Sequence, residues 1–237
     1  MTTDRPRPNS LPDTEIRRLA ESRHEEDPPS HDPDRAVASK SAGSLQAGAR
    51  RAVSTPSARN SHDVVVPILP RERDPRLITI RRGGTLTDED HRLLAEWAIV
   101  CAEHVLHLFE QHQPGDGRPR DAIHSGRAWI RGEVRMGEAR RAAFAANAAA
   151  RGLPDPAKFA ALAAGQAAAV AHVAAHDLGA AAYAIRAVQA SVTADQAEGA
   201  RRRERDWQRA QIPAEVRELV LDDQGQRNDI CWNVFAD

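Results

Sequence analysis

From Thr87 onward, apolar residues recur at intervals of three and four, and glycine or proline separates one such segment from the next. Thr87 opens the first: its hydroxyl can cap a helix while Asp90 reaches back from the third position. Leu94, Trp97, Cys101, His104 and Leu108 then fall on one helical face, and Pro114-Gly115-Asp116-Gly117 ends it. A second helix is predicted from Pro119, the favoured first helical position, past Trp129 to Gly132. The third covers about Gly137 to Arg151 and closes at Gly152, with Pro154 beyond. The fourth is an alanine-rich run from Asp155 to Ser191, free of proline after Pro156. Thr193 caps a fifth, and Pro213 opens a short sixth through Leu221.

The alanine-rich run organises this pattern. Alanine loses no side-chain entropy in a helix and lets neighbouring helices approach closely, which suits the middle of a bundle. His172, His176, Gly179 and Tyr183 follow one another at steps of four, three and four, so a continuous helix would carry them on one face. The predicted architecture is all-α: a compact bundle of about six helices with a long Ala-rich central helix, preceded by a disordered N-terminal arm. Trp97, Cys101, Trp129, Gly179, Tyr183 and Trp207 are its expected structural core.

The arm is read from composition. Residues 1–75 hold prolines, serines and mixed charges, and the first aromatic residue of the chain is Trp97. Such a segment buries too little apolar area to offset about 1–2 kcal/mol of backbone entropy per residue. A transient helix over Pro12 to Arg23 and an apolar cluster from Val64 to Pro70, able to dock on the body, are its local features. Residues 76–237 form the predicted all-α domain, with 212–237 as a short helix and an acidic tail. Residues 215–237 carry six carboxylates against Arg217 and Arg227.

Charge adds a boundary. With 33 Lys+Arg against 34 Asp+Glu over 237 residues, the formal charge is −1, and no global pull toward nucleic acid or acidic membrane follows. The start of the chain lacks the apolar core of a signal peptide, and no stretch is apolar enough to span a bilayer, so the expected location is cytoplasmic with no membrane partner. Cys101 and Cys231 match no metal or disulfide spacing.

Few residues suggest chemistry. His172 and His176 have the spacing of two zinc ligands on a helix, with Glu103 or His104 as the third ligand; packed imidazoles are the simpler explanation. No phosphate loop, nucleophile elbow or paired Cys-x-x-Cys is present, so neither a cofactor nor an enzyme activity is expected; a metal-binding protein or metal-dependent enzyme using His172 and His176 is the alternative. Arg118 and Arg120 place guanidinium groups at a helix start against the dipole, which calls for a carboxylate partner within the fold or on another protein. Arg201 to Arg209 is the most basic stretch; it could contact phosphates, but Glu198, Glu204 and Asp206 interleave it as on a charge-laced exposed face. Alanine-rich faces pack within one chain or between two, which leaves a homo-oligomer open.

Several motifs occur together. Trp97-Ala98-Ile99-Val100-Cys101-Ala102-Glu103-His104-Val105-Leu106 precedes Arg118-Pro119-Arg120-Asp121-Ala122-Ile123 and Arg127-Ala128-Trp129. Ala171-His172 to Tyr183-Ala184 and Glu204-Arg205-Asp206-Trp207-Gln208 complete the set. The sequence from about 80 to 211 resembles the bacterial immunity proteins of the immunity-five-like family, known from polymorphic toxin systems. That resemblance implies an all-α cytoplasmic protein that binds a cognate protein toxin and neutralises it by occlusion, without catalysis of its own. It points to Glu103, His104, Arg118, Arg120 and Arg127 as partner-binding positions. Asp177 departs from the pattern, where a small apolar residue is expected. The near-neutral charge argues against nucleic-acid mimicry.

Overall fold

The structure, a computed structural model, describes residues 69–70 and 72–237. The readings made for the arm, including the helix over Pro12 to Arg23, lie outside the described residues apart from its last few positions. Within the cluster from Val64 to Pro70, Leu69 is half-buried against the core. Among the described residues there are seven α-helices: α1 Asp88–Glu110, α2 Arg118–Ile130, α3 Met136–Ala149, α4 Asp155–Ala169, α5 Asp177–Ala190, α6 Ala194–Ala210 and α7 Arg217–Gln226. The Leu77 to Ile80 segment forms no strand. Thr79 and Leu86 make a single parallel bridge across the second 3-10 turn, Ile80–Arg82, which Gly83 closes at φ +85°.

Helix ends follow the local chemistry. Thr87 Oγ1 accepts the amide of Asp90 at 3.0 Å and donates to the Asp90 carboxylate at 2.7 Å, while Asp88, Glu89 and Asp90 place negative charge on the first turn. Thr193 stands at the predicted cap of α6, but its hydroxyl makes no cap hydrogen bond.

α4 lies at the centre, packed against α1, α2, α3 and α5. It is buried nearly all round, through Ala157, Phe159, Ala160, Ala161, Ala163, Ala164, Gly165 and Ala167–Ala169. Ala122, Ala143, Ala146, Ala168 and Ala169 form a cluster of alanines alone between α2, α3 and α4. Trp97 and Cys101 of α1 are buried, as is Gly179, whereas Trp129, Tyr183 and Trp207 are half-buried at the edges of the core.

The alanine-rich run is two helices rather than one. Residues 170–176 interrupt it, with Val173 extended at φ −144° and a 3-10 turn over Ala174–His176. Side chains from elsewhere take carbonyls that a continuous helix would use: His91 Nε2 donates to Val170 O at 2.7 Å, and Arg82 Nη1 to His172 O at 3.2 Å. Arg227 Nη1 reaches Ala175 O at 2.9 Å. Tertiary hydrogen bonds thus replace helical ones, and the break lets α5 pack on α4. His172 and His176 therefore belong to a turn, not to the helical face that carries Gly179 and Tyr183.

Candidate functional site

The residues singled out from sequence separate into three places. On the α1–α2 face, Glu103 receives a two-pronged bond from Arg127, Nη1 to Oε1 at 2.8 Å and Nη2 to Oε2 at 2.6 Å. Arg120 pairs with Glu110. Glu103 and Glu110 are two turns apart on α1, and their partners are two turns apart on α2 in reverse order, as an antiparallel helix pair requires. Arg118 folds onto Asp116, with Nε to Oδ1 at 2.9 Å; the pairing holds the Asp116 carboxyl below its usual range and raises the guanidinium. Both guanidinium groups at the start of α2 thus have carboxylate partners within the fold. All these pairs are exposed or half-exposed, where an ion pair contributes about 0–1 kcal/mol.

Glu103 and His104 are neighbours in sequence but face different helices, because successive helical residues are turned by roughly 100°. His104 meets α6: its Nδ1 lies 3.0 Å from Glu204 Oε2, and its ring stacks on Trp207 at 3.7 Å between centroids, 22° between planes. Glu204 is buried and also accepts from Gln208 Nε2 at 2.9 Å, while Trp97 Nε1 donates to the backbone carbonyl of Gln208 at 3.0 Å.

The third place is the α4–α5 break. The rings of His172 and His176 lie 5.0 Å apart, and His176 Nδ1 is 2.7 Å from Gln166 Oε1. His172 Nδ1 is buried without a hydrogen-bond partner. Burial first, then Arg140, Arg82 and Arg73, depresses the His172 pKa to about 4. Burial and then His172 depress that of His176 to about 3. Both are neutral imidazoles near pH 7. His91, edge-on to Trp129 at 4.9 Å, is likewise lowered, by burial. Among the described residues, no group of three or more His, Cys, Asp or Glu is placed to hold a metal ion, and His104 is engaged with α6.

A protein-family model, that of the Imm-5 like putative immunity protein, matches residues 84–215, more than half of the chain. The chain belongs to that family. The immunity-family match runs from the turn before α1 to the 3-10 turn after α6, so it includes the α1–α2 ion pairs, the His104 contact and the α4–α5 break. No curated protein and no solved structure matches this chain. No helix of the described residues is long and apolar enough to cross a membrane.

Two arrangements at the family match's C-terminal edge escaped the sequence reading. The Arg201–Arg209 stretch is not simply a solvated face. Arg201 and Arg205 are buried, and Arg201 Nη1 donates to Val234 O at 2.7 Å and Ala236 O at 2.6 Å. Arg205 also bonds Ala236 O, and Arg209 Nη2 donates to Phe235 O at 2.9 Å. Three arginines at steps of four thus grip the C-terminal segment, while Arg202 and Arg203 remain exposed. The stepwise spacing was the available signal.

The second is a buried charge cluster. Asp177, Asp223 and Arg227 are 1%, 3% and 4% exposed. Arg227 Nε donates to Asp223 Oδ1 at 2.6 Å, and Arg227 Nη2 lies 3.6 Å from Asp177 Oδ1. Burial, then the Asp223 charge, raises the Asp177 pKa to about 7. Asp177 thus faces neither solvent nor the histidines; it binds α5 to α7. The segment after α7 closes with Trp232 and Asn233 both at φ +57°, a left-handed conformation rare for so bulky a side chain as tryptophan. Arg186, 4.4 Å from the Trp232 ring and 4.1 Å from that of Phe159, fills the aromatic corner these rings make with Tyr183.

Proposed function

We propose that this immunity-family protein binds a cognate protein toxin and neutralises it by covering the toxin's working surface, with no catalysis of its own, and that the encounter takes place in the cytoplasm. The observation that carries the reading is the family match over 84–215, which spans every helix displaying the candidate partner residues. The proposed contact is the α1–α2 face. Glu103, Arg118, Arg120 and Arg127 stand there as exposed pairs, which are cheaply opened and re-formed with a partner's charges. His104, stacked on Trp207, lies on the adjoining α1–α6 face. Stacked aromatic and arginine groups are the side chains most often found as binding anchors.

The test is co-expression of the full chain with protein toxins of polymorphic toxin systems, scored by growth and by purification of a complex. The expected result is protection and a one-to-one complex. Replacing Arg120 and Arg127 together by Glu is expected to weaken binding about tenfold or more with the helical spectrum unchanged. Absence of both protection and complex overturns the proposal; a complex indifferent to the double reversal moves the contact off this face.

A further inference from the structure

Among the described residues three large apolar side chains stand exposed: Ile80, Phe144 and Leu221. Ile80 lies in a 3-10 turn, whereas Phe144 and Leu221 each sit on the outer face of a helix. α3 buries Ala139, Ala143, Ala146 and Ala149. Its opposite side carries Gly137, Arg141, Phe144 and Ala148, at steps of four, three and four. Phe144 is 53% exposed there, and the Arg140 guanidinium lies 5.4 Å from its ring centroid. α7 buries Val220, Asp223 and Gln224, and its outer face carries Glu218, Leu221, Asp222 and Gly225. Leu221 is 38% exposed among them.

The two faces are opposite in charge. Arg140 and Arg141 make no ion pair among the described residues, and α3's one carboxylate, Glu138, turns back to the Arg135 amide at 3.3 Å. On α7, Glu218 is likewise without an ion pair among the described residues, and Asp222 meets only the side chains of Arg76 and Gln226. The one base of α7, Arg217, donates to Arg209 O at 3.1 Å. In each helix the minority charge is thus tied to main-chain atoms, and the outer face shows a single sign around a single exposed apolar side chain. The faces do not meet within one chain: α3 packs on α2 and α4, and α7 on α5 and the 3-10 turn Ala214–Val216.

We propose that the α3 face of one copy of this chain docks on the α7 face of a second copy, with Phe144 against Leu221 and Arg140 and Arg141 against Glu218 and Asp222. The occupant is a second copy because the chain itself carries both complementary halves, each with its charges set around an apolar anchor. Gly137 and Ala148 on one face and Gly225 on the other let the two helices approach. The contact joins two different surfaces and is therefore heterologous, so assembly continues until a ring closes. It is independent of the toxin-binding reading, whose contact lies on α1 and α2, and α7 lies outside the family match.

The test is sedimentation of the full chain from about 10 μM to about 1 mM, at low and at physiological salt. The expected result is an average mass that rises with concentration and falls back as salt is added. Arg141→Glu and Glu218→Arg, each made alone at an exposed position, are expected to weaken self-association about tenfold or more with the helical spectrum unchanged. Phe144→Ser is expected to weaken it as well, and Arg203→Glu, an exposed reversal on α6, to leave it unchanged. An equimolar mixture of the Arg141→Glu and Glu218→Arg proteins is expected to regain association, because each supplies the face that the other has lost. A chain that stays monomeric at about 1 mM overturns the contact and leaves the two faces to other partners. Self-association untouched by either single reversal overturns it too, and so does a mixture that fails to regain what both reversals lost.

Discussion

The seams around α4 and the C-terminal corner of the same bundle are held by opposite means. Around α4, Ala143, Ala146, Ala168 and their neighbours bury methyl groups with no direction to their attraction. Each contributes little area, and the gain comes from backbones brought close enough for many weak dispersion contacts. At the corner, Arg201, Arg205 and Arg227 are buried with Asp177, Asp223 and the carbonyls of Ala175, Val234 and Ala236. Those contacts are few, strong and directional. A seam of small residues is damaged by adding atoms, whereas a buried charge cluster is damaged by removing them.

The largest expected effect follows from the second half of that contrast. Arg227→Ala removes the guanidinium shared by Asp177, Asp223 and Ala175 O and leaves two buried carboxyl groups facing one another. Breaking a buried pair in this way costs about 3–5 kcal/mol. Urea unfolding at pH 7 measures it, and a loss below about 1 kcal/mol would show that the cluster is incidental to the corner.

The first half gives a smaller effect. A Cβ at Gly165 would overlap Asn147 Oδ1, lie 2.9 Å from Asn147 Cγ and approach Ala143 O to 3.1 Å. Gly165→Ala is therefore expected to destabilise by about 1–3 kcal/mol through overpacking, despite alanine's better helix propensity. Asn147 Oδ1 is buried without a partner, so Asn147→Ala both frees the space and removes an unmet acceptor. The double variant should recover part of the loss, a non-additivity that urea unfolding of the four proteins resolves. Strict additivity would mean that α3 and α4 part without strain.

The same contrast separates what was legible in the sequence from what was not. Alanine content, caps and the Pro/Gly stops reveal seams and helix ends, because those depend on local propensity and on size. They placed α1, α2 and α3 to within two or three residues. The break at 170–176 had no local cause to read: no proline or glycine marks it, and it is held by His91 and Arg82, far away in sequence. The Arg201, Arg205 and Arg209 stripe resembled a solvated face because its acceptors are main-chain carbonyls, which are the same in every sequence. Asp177 stood out as an acid in an apolar setting, but its partners Asp223 and Arg227 are visible only once α7 is folded onto α5. On the α1–α2 face the residues were legible and their mutual pairing was not.

The effect that is smallest at any single step of pH sharpens the comparison most, since the two regions titrate with opposite sign. At the corner, Asp177 has its pKa raised from 3.8 to about 7, first by burial and then by Asp223. Between those values the folded chain holds more protons than the unfolded one, so this group adds stability as pH falls from about 7 toward 4 and withdraws it as pH rises. At the α4–α5 break, burial lowers His172 from 6.5 to about 4 and His176 to about 3. There the unfolded chain binds the extra protons, and stability falls as pH drops below 6.5. Each proton of difference is worth about 1.4 kcal/mol per pH unit. Asp177→Asn should therefore steepen the acid loss between pH 6.5 and 4 by up to that slope, and His176→Gln should flatten it by a similar amount. The slope of unfolding free energy against pH is the quantity to measure, because it is insensitive to whatever constant cost each substitution adds. Parallel slopes in wild type and both variants would mean that neither region holds its titrating groups out of water as the burial of Asp177 and His176 requires.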